Sequence, residues 1–163
     1  MYLHAGAFRI WQVERALGGE RRFALINVWR PITAAPVQSN PLACCDATSA
    51  RKEELVVFEI HYADRIGENY FAAGSDAHRW VYFPGMARDE ALLIKQWDSA
   101  GDLARESAAQ LQAADADGRK KQKVEGGGAP LSTFTLHSAF GDPTSAPDAP
   151  DRESIEVRCV VLY

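Results

Sequence analysis

Short runs of β-branched and aromatic residues, separated by proline- and glycine-rich turns, constrain the fold of this chain most. Such runs occupy residues 21–29, 55–62, 78–83 and 91–97, and two more flank the turn-rich segment 141–151. Alternating runs of this kind between turn residues predict strands. Residues 65–68 are predicted to form a turn that leads into the run 69–73. A βαβ fold would need a helix between successive strands, and the intervening sequence does not supply one. The sequence therefore predicts a mainly β fold, an antiparallel sandwich or jelly roll.

Two segments depart from this pattern. Residues 5–17 place apolar side chains on one helical face before Gly18 and Gly19, which predicts a short N-terminal helix. Residues 99–130 are rich in Ala, Asp, Glu, Gln and Lys and include a basic cluster and three consecutive glycines. We interpret this stretch as a long, flexible insertion rather than a nucleic-acid-binding patch, because the chain as a whole is acidic. The remainder is expected to form one domain over residues 1–163.

Composition and charge narrow the class of protein further. The chain has 163 residues, 47% of them hydrophobic, and a net charge of -4, as expected of a globular domain that binds neither nucleic acid nor a membrane. Its first residues lack the charged and apolar regions of a secretory signal, which predicts a cytoplasmic location. Cys44, Cys45 and Cys159 match neither a disulfide framework nor a zinc-binding spacing, so we expect reduced packing residues. The oligomeric state is not predicted.

The candidate site lies near the C-terminus. His137 stands in one alternating run, and Arg152 and Ser154 open the next. Imidazole is a metal ligand, and the planar guanidinium of arginine binds carboxylates through two hydrogen bonds. A hydroxyl two residues further along a strand faces the same side. The alternatives are an ordinary polar strand residue at His137 and a surface salt bridge at Arg152.

Asn27 and Arg30 mark a possible pocket on the first predicted strand. Asn27 shares one face with Trp29, and Arg30 lies on the other face. Polar side chains in so apolar a strand need partners if they are buried. They either line a pocket, or Arg30 holds the loop at Asp46. Four further charged residues are predicted to form structural ion pairs: Arg65, Glu68, Arg79 and Asp98.

Familiar catalytic motifs are missing from the sequence, and we identify no catalytic residue. There is no Gly-x-Ser-x-Gly elbow, no Cys-x-x-Cys pair and no phosphate-binding loop. A facial-triad iron site often takes two ligands from His-x-Asp or His-x-Glu on one strand. None of the four histidines has an acid two residues later: His4, His61, His78 and His137.

Seven motifs in order nevertheless resemble one family. They are NVWRPI at 27–32, PLACCD at 41–46, DRIGENY at 64–70, HRWVYFPGM at 78–86, DEALLIK at 89–95, LHSAFGDP at 136–143 and RESIEVR at 152–158. Together they resemble the AsaB-like hydroxylase/desaturase family, which includes gibberellin-desaturase-like and CmcJ-like (7-alpha-cephem-methoxylase-related) proteins of fungal secondary metabolism. The resemblance runs from about Gly6 to Tyr163, interrupted by the insertion.

The resemblance implies a double-stranded β-helix that uses non-haem Fe(II) and 2-oxoglutarate to hydroxylate or desaturate a small secondary metabolite. It implies that His137 is the distal iron ligand and that Arg152 and Ser154 hold the far carboxylate of the cosubstrate. The family's His-x-Asp motif normally precedes the first helix, so the chain is expected to be N-terminally shortened. Two rival hypotheses are a non-catalytic jelly-roll binding protein and a partner subunit that presents its aromatic strands at an interface.

Overall fold

A computed structural model of the chain describes residues 15–16, 18–64, 66–105 and 133–163. The strands in these residues are β1 (Phe23–Pro31), β2 (Leu42–Cys45), β3 (Leu55–His61), β4 (Ile66–Ala72), β5 (Trp80–Tyr82), β6 (Leu92–Asp98), β7 (His137–Ala139) and β8 (Ser154–Leu162). Two short 3-10 helices, Ala47–Ser49 and Lys52–Glu54, lie between β2 and β3. No helix in the described part of the chain is long and apolar enough to cross a membrane.

The contacts between residues divide the chain into two compact units. The first comprises Met1–Val28, Leu93–Phe134 and Val157–Tyr163, and the second comprises Trp29–Leu92 and Thr135–Glu156. The sheet β6-β1-β8, in that order, belongs largely to the first unit. Its core includes Ala24 and Ile94, which are almost completely buried.

The second unit contains two antiparallel arrangements. Strands β5, β2 and β7 form a sheet in that order, with Cys44 directly opposite Val81 on one side and His137 on the other. Strands β3 and β4 form a separate hairpin in continuous register from Leu55 opposite Ala72 to His61 opposite Ile66. Val81, Cys44 and His137 therefore form one row across the β5-β2-β7 sheet.

Most predicted strands are confirmed. Some of them begin or end at other residues than predicted, because pairing with the neighbouring strand sets their limits. Residues 65–68 are predicted as a turn, and this is wrong because β4 begins at Ile66 and pairs with the end of β3. The predicted strand 78–83 shortens to Trp80–Tyr82, since a turn precedes it. Strand β1 continues through Arg30 to Pro31, and the Ile32 N–H then donates to the Glu153 carbonyl oxygen at 3.1 Å.

The two non-β predictions fall mostly on residues outside the described ranges. Residues 15–16 are helical, and a turn follows at Gly18, where the predicted N-terminal helix was expected to end. The rest of that helix lies outside the described residues. Residues 102–105 are also helical, and the larger part of the predicted insertion, 106–130, lies outside the described residues. The predictions of a single domain and of a flexible insertion remain predictions.

Candidate functional site

His137 is held in a defined orientation by its own chain. It is half-buried at the start of β7, and its Nδ1 lies 2.8 Å from the Thr135 carbonyl oxygen. A carbonyl oxygen only accepts hydrogen bonds, so Nδ1 is the donor. In the neutral ring this leaves the Nε2 lone pair available. Metal-binding histidines are commonly oriented in the same way, by an Nδ1–H bond to a backbone carbonyl.

Cys44 is the cross-strand neighbour of His137 on β2. The two residues face the same side of the sheet because directly opposed residues of an antiparallel pair share a face. Burial raises the pKa of the Cys44 thiol, so it stays protonated at neutral pH. The side chain next to the imidazole is therefore small and uncharged.

Arg152 is fixed from two directions just before β8. Its guanidinium carbon lies 5.4 Å from the centroid of the Trp29 ring, and its Nη1 donates to the Asn40 carbonyl oxygen at 2.7 Å. The residue is half-buried overall, but its Nε is shielded from solvent and has no hydrogen-bond partner among the described residues. A buried donor of this kind is costly unless something accepts from it. The arrangement therefore suits an anionic ligand.

Two adjacent carbonyl groups connect Arg152 to the strand that carries His137. Asn40 accepts from Arg152, and the next residue, Pro41, accepts from the Phe140 N–H at 3.3 Å. Phe140 directly follows β7, three residues after His137, which corresponds to roughly 10 Å along an extended chain. Arg152 is thus tied to the end of β7 opposite to His137.

Ser154 and Arg30 belong to the same unit as His137 and Arg152. Ser154 is half-buried at the first position of β8, two residues beyond Arg152. The Arg30 Nε is also buried without a hydrogen-bond partner among the described residues. Strand alternation places Arg30 on the face of β1 opposite to Trp29, and hence away from the ring that contacts Arg152. The two unpaired guanidinium groups therefore do not form one site.

Asn27 is buried and hydrogen-bonded, and its predicted pocket position remains a prediction. It is only 1% exposed, it lies in the first unit, and its Oδ1 accepts from Arg158 Nε at 3.1 Å. The alternative role of Arg30, holding the loop at Asp46, is not what the structure shows. The Asp46 carboxylate accepts instead from Arg79 Nη2 at 2.6 Å and from the Thr48 hydroxyl at 2.8 Å.

Two of the four residues predicted to form structural ion pairs are confirmed to do so. Arg79 pairs with Asp46, and Asp98 pairs with Arg22 at 2.6 Å. Arg65 and the side chain of Glu68 lie outside the described part of the chain. His78 lies just before β5 and is packed: its side chain is 3% exposed, and its Nε2 lies 2.8 Å from Glu54 Oε2.

A cavity of about 420 Å³ lies against the β5-β2-β7 sheet. Its walls include Ala43, Trp80, Tyr82, Ser138, Ala139 and Phe140. The register places Ala43, Ser138 and Tyr82 opposite one another, so their side chains point away from the face that carries His137. The Tyr82 hydroxyl donates to Asp142 Oδ2 at 3.3 Å, and the charge of Asp142 raises the pKa of Tyr82.

The described residues supply only part of a metal site. Within them, no group of three or more His, Cys, Asp or Glu side chains is arranged to hold a metal ion. His137 therefore offers one imidazole and not a complete ligand set.

Sequence reasoning missed Trp29 and Asn40 as neighbours of Arg152. The alternation of β1 showed that Trp29 shares a face with Asn27, but not that a guanidinium lies over the ring. Asn40 has a φ of 48°, in the left-handed region, and asparagine is one of the few residues other than glycine that adopts it readily. Asparagine before proline in a loop was the available signal for an unusual turn.

The chain has recognisable relatives among known proteins. A family model described as an oxidoreductase/YMDC permease-like domain matches residues 4–162. Aspirochlorine biosynthesis protein N of Aspergillus oryzae is 32% identical over 155 residues, covering 93% of this chain and 52% of its own length. Hydroxylase/desaturase asaB of Aspergillus flavus is 30% identical over 155 residues, covering 87% of this chain and 56% of its own.

A solved structure shows the same fold. The iron and alpha-ketoglutarate-dependent endoperoxidase NvfI matches with a TM-score of 0.63 and 26% identity, over 90% of this chain and 45% of its own. The predicted jelly-roll fold is thereby confirmed. The chain spans about half the length of the curated relatives that it matches.

Proposed function

This chain belongs to the oxidoreductase/YMDC permease-like and AsaB-like hydroxylase/desaturase family, and we propose on that basis that it acts in the Fe(II)/2-oxoglutarate-dependent hydroxylation or desaturation of a small secondary metabolite. The proposal assigns to this chain the site that holds the far carboxylate of 2-oxoglutarate, together with one iron-binding imidazole. The observation that carries it is the buried, unpaired Nε of Arg152.

Arg152 has the chemistry that a dicarboxylate requires. Nη1 is already used by the Asn40 carbonyl, which leaves the edge of the guanidinium formed by Nε and Nη2 for a ligand. A carboxylate accepts two parallel hydrogen bonds from such an edge. Ser154, two residues further on at the first position of β8, offers a hydroxyl donor. These residues fit one carboxylate of 2-oxoglutarate.

The fit to iron is incomplete within the described residues. His137 presents Nε2 in a fixed tautomer, which suits one position of a facial triad. The other two ligands of such a triad have no counterpart among the described residues. We therefore assign His137 as a single ligand and derive no reaction step through the metal.

The residues of this chain can be given roles that do not depend on the metal. Arg152 and Ser154 neutralise and orient the far end of the cosubstrate. The Thr135 carbonyl keeps the His137 proton on Nδ1 and so keeps Nε2 free of a proton. The protonated Cys44 adds no second charge beside the imidazole. Orientation of bound reactants by groups of this type is a large part of what a protein contributes to cofactor chemistry.

The test is calorimetric titration of the full chain with 2-oxoglutarate, with and without Fe(II) under anaerobic conditions. We expect saturable binding that Arg152→Ala weakens by roughly 10- to 100-fold, the loss of hydrogen bonds to a charged group. Arg79→Ala is the matched control, because Arg79 is an exposed arginine paired with Asp46. It should change the affinity by less than about twofold.

Turnover provides the second measurement. Succinate formation from 2-oxoglutarate that depends on Fe(II) and O2 and is lost in His137→Ala would support the proposal. A wild-type chain that neither binds 2-oxoglutarate nor forms succinate would overturn it.

A further inference from the structure

We propose that Trp29 and Asn40 are positioning residues that present Arg152 to the far carboxylate of the cosubstrate. The inference rests on the proposed function and extends it to two residues that do not themselves contact the ligand. On this view, three residues that are distant in the sequence, Trp29, Asn40 and Arg152, together determine the selectivity of the site for a dicarboxylate.

Trp29 provides a rigid surface beneath the guanidinium. It is 4% exposed, within the buried face of β1 that also carries Asn27 and Pro31. The guanidinium carbon of Arg152 lies 5.4 Å from the ring centroid, inside the range of a cation–π contact. Such a contact uses the positive charge and leaves the N–H donors free for hydrogen bonds. Trp29 therefore restrains Arg152 without consuming the groups that a carboxylate needs.

Asn40 determines which edge of the guanidinium remains available. Its carbonyl oxygen accepts from Nη1 at 2.7 Å, on the side of the guanidinium away from Nε. The direction of that carbonyl follows from the left-handed backbone at Asn40, where φ is 48°. Glycine adopts this conformation freely, whereas a β-branched residue adopts it at a considerable cost. The backbone of Asn40, rather than its side chain, is what the inference requires.

The remaining donors are arranged for one class of ligand. Nε is buried and has no partner in the described part of the chain. With Nη1 fixed by Asn40 and the cation resting on Trp29, the Nε and Nη2 pair faces a single direction. That geometry selects a planar, two-oxygen anion, and it favours 2-oxoglutarate over 2-oxopentanoate, which has the same chain length and no far carboxylate.

The test compares matched variants by calorimetric titration of the full chain with 2-oxoglutarate. Trp29→Leu, which removes the aromatic face, should raise Kd by about 5- to 30-fold, while Trp29→Phe should stay within about threefold. Asn40→Val should raise Kd, whereas Asn40→Gly, which keeps the left-handed backbone, should stay close to the wild type. Circular dichroism and the melting temperature report whether each variant is folded.

A double-mutant cycle separates positioning from a general structural effect. If Trp29 acts through Arg152, Trp29→Leu should change Kd by less than about twofold in an Arg152→Gln background. An equal loss in both backgrounds, or an unchanged Kd for folded Trp29→Leu, overturns the inference. If Trp29→Leu does not fold, equal affinities of Asn40→Gly and Asn40→Val overturn it instead. Absence of 2-oxoglutarate binding in the wild type would reject the proposed function, a separate result.

Discussion

Cys44 and His137 lie directly opposite each other in the antiparallel pair of β2 and β7. Their side chains face the same side of the sheet, so the thiol borders the imidazole that we assign as an iron ligand. The next pair, Ala43 and Ser138, faces the other side, and both residues line the cavity. A shift of the register by one residue would exchange these two faces.

Disulfide trapping tests this register. Opposed residues have Cβ atoms about 4.5–5.5 Å apart, and a disulfide forms when the Cα atoms are within about 4.4–6.8 Å. In a Cys45→Ala background, His137→Cys should cross-link to Cys44 under mild oxidation, as detected by peptide mapping without reduction. Ser138→Cys should not, because position 138 points to the opposite face. An equal yield from both variants would contradict the register.

Asp98 should make the stability of the fold depend on pH. The hydrogen bond from Arg22 holds the pKa of this buried carboxyl well below its usual 3.8. A carboxyl whose pKa is lowered on folding stabilises the native state above its unfolded pKa, and that contribution is lost as the pH falls below about 4. Asp98→Asn should lower the free energy of unfolding by roughly 1–3 kcal/mol at pH 7. In urea denaturation, the difference in the free energy of unfolding between Asp98→Asn and the wild type should be smaller at pH 3 than at pH 7. Equal differences at the two pH values would contradict the prediction.

Two histidine–glutamate pairs with similar distances should contribute differently to the free energy of unfolding. His78 and Glu54 are 2.8 Å apart with side chains 3% and 10% exposed, whereas His61 and Glu59 are 2.9 Å apart and 67% and 56% exposed. His78→Ala should destabilise the protein by about 1–3 kcal/mol and His61→Ala by less than about 0.5 kcal/mol. Thermal or urea unfolding of the two variants gives the comparison, and similar losses would contradict it.

The contact with His78 should also affect the pKa of the Glu54 carboxyl. A hydrogen bond from the Arg51 N–H, and next the His78 ring, lower the pKa of the Glu54 carboxyl from 4.5 to about 2. The stabilisation from this carboxyl is present above pH 4.5 and is lost as the pH falls toward 2. His78→Ala should therefore raise the pKa of Glu54, as measured by the carbon chemical shift of its carboxyl. A pKa of Glu54 that stays near 2 in His78→Ala would contradict the prediction and show that Arg51 alone lowers it.

Gly101 should be intolerant of any side chain. A Cβ at this position would overlap the Cα atom and the hydroxyl of Thr133, whose Oγ1 also accepts from the Leu103 N–H at 3.0 Å. Gly101→Ala should destabilise the protein by about 1–3 kcal/mol, the usual range for overpacking. Gly141→Ala is the matched control, since no atom lies within 4 Å of the place that its added methyl group would occupy, and its effect on unfolding should be below about 0.5 kcal/mol. Equal melting temperatures for the two variants would argue against the close approach.

Local patterns predicted the elements whose residues pair with the expected neighbours. The runs that became β1, β3 and β6 are rich in apolar, β-branched and aromatic residues, and their positions are confirmed within a few residues. The turn predicted at 65–68 failed because pairing of Gly67 with Ile60 outweighs the local preference of glycine for a turn. Asn27 accepts a hydrogen bond from Arg158, a partner 131 residues away that no local pattern indicates.

By itself, the sequence determined that the chain is mainly β, that it resembles the AsaB-like family, and that an arginine and a hydroxyl stand two residues apart near the C-terminus. These properties depend on residue type and on alternation over a few neighbouring positions. Only the tertiary structure decided what surrounds Arg152. Trp29 and Asn40 reach it through contacts between distant parts of the chain, and the orientation of a guanidinium depends on such contacts, on burial and on the backbone conformation of a single loop residue.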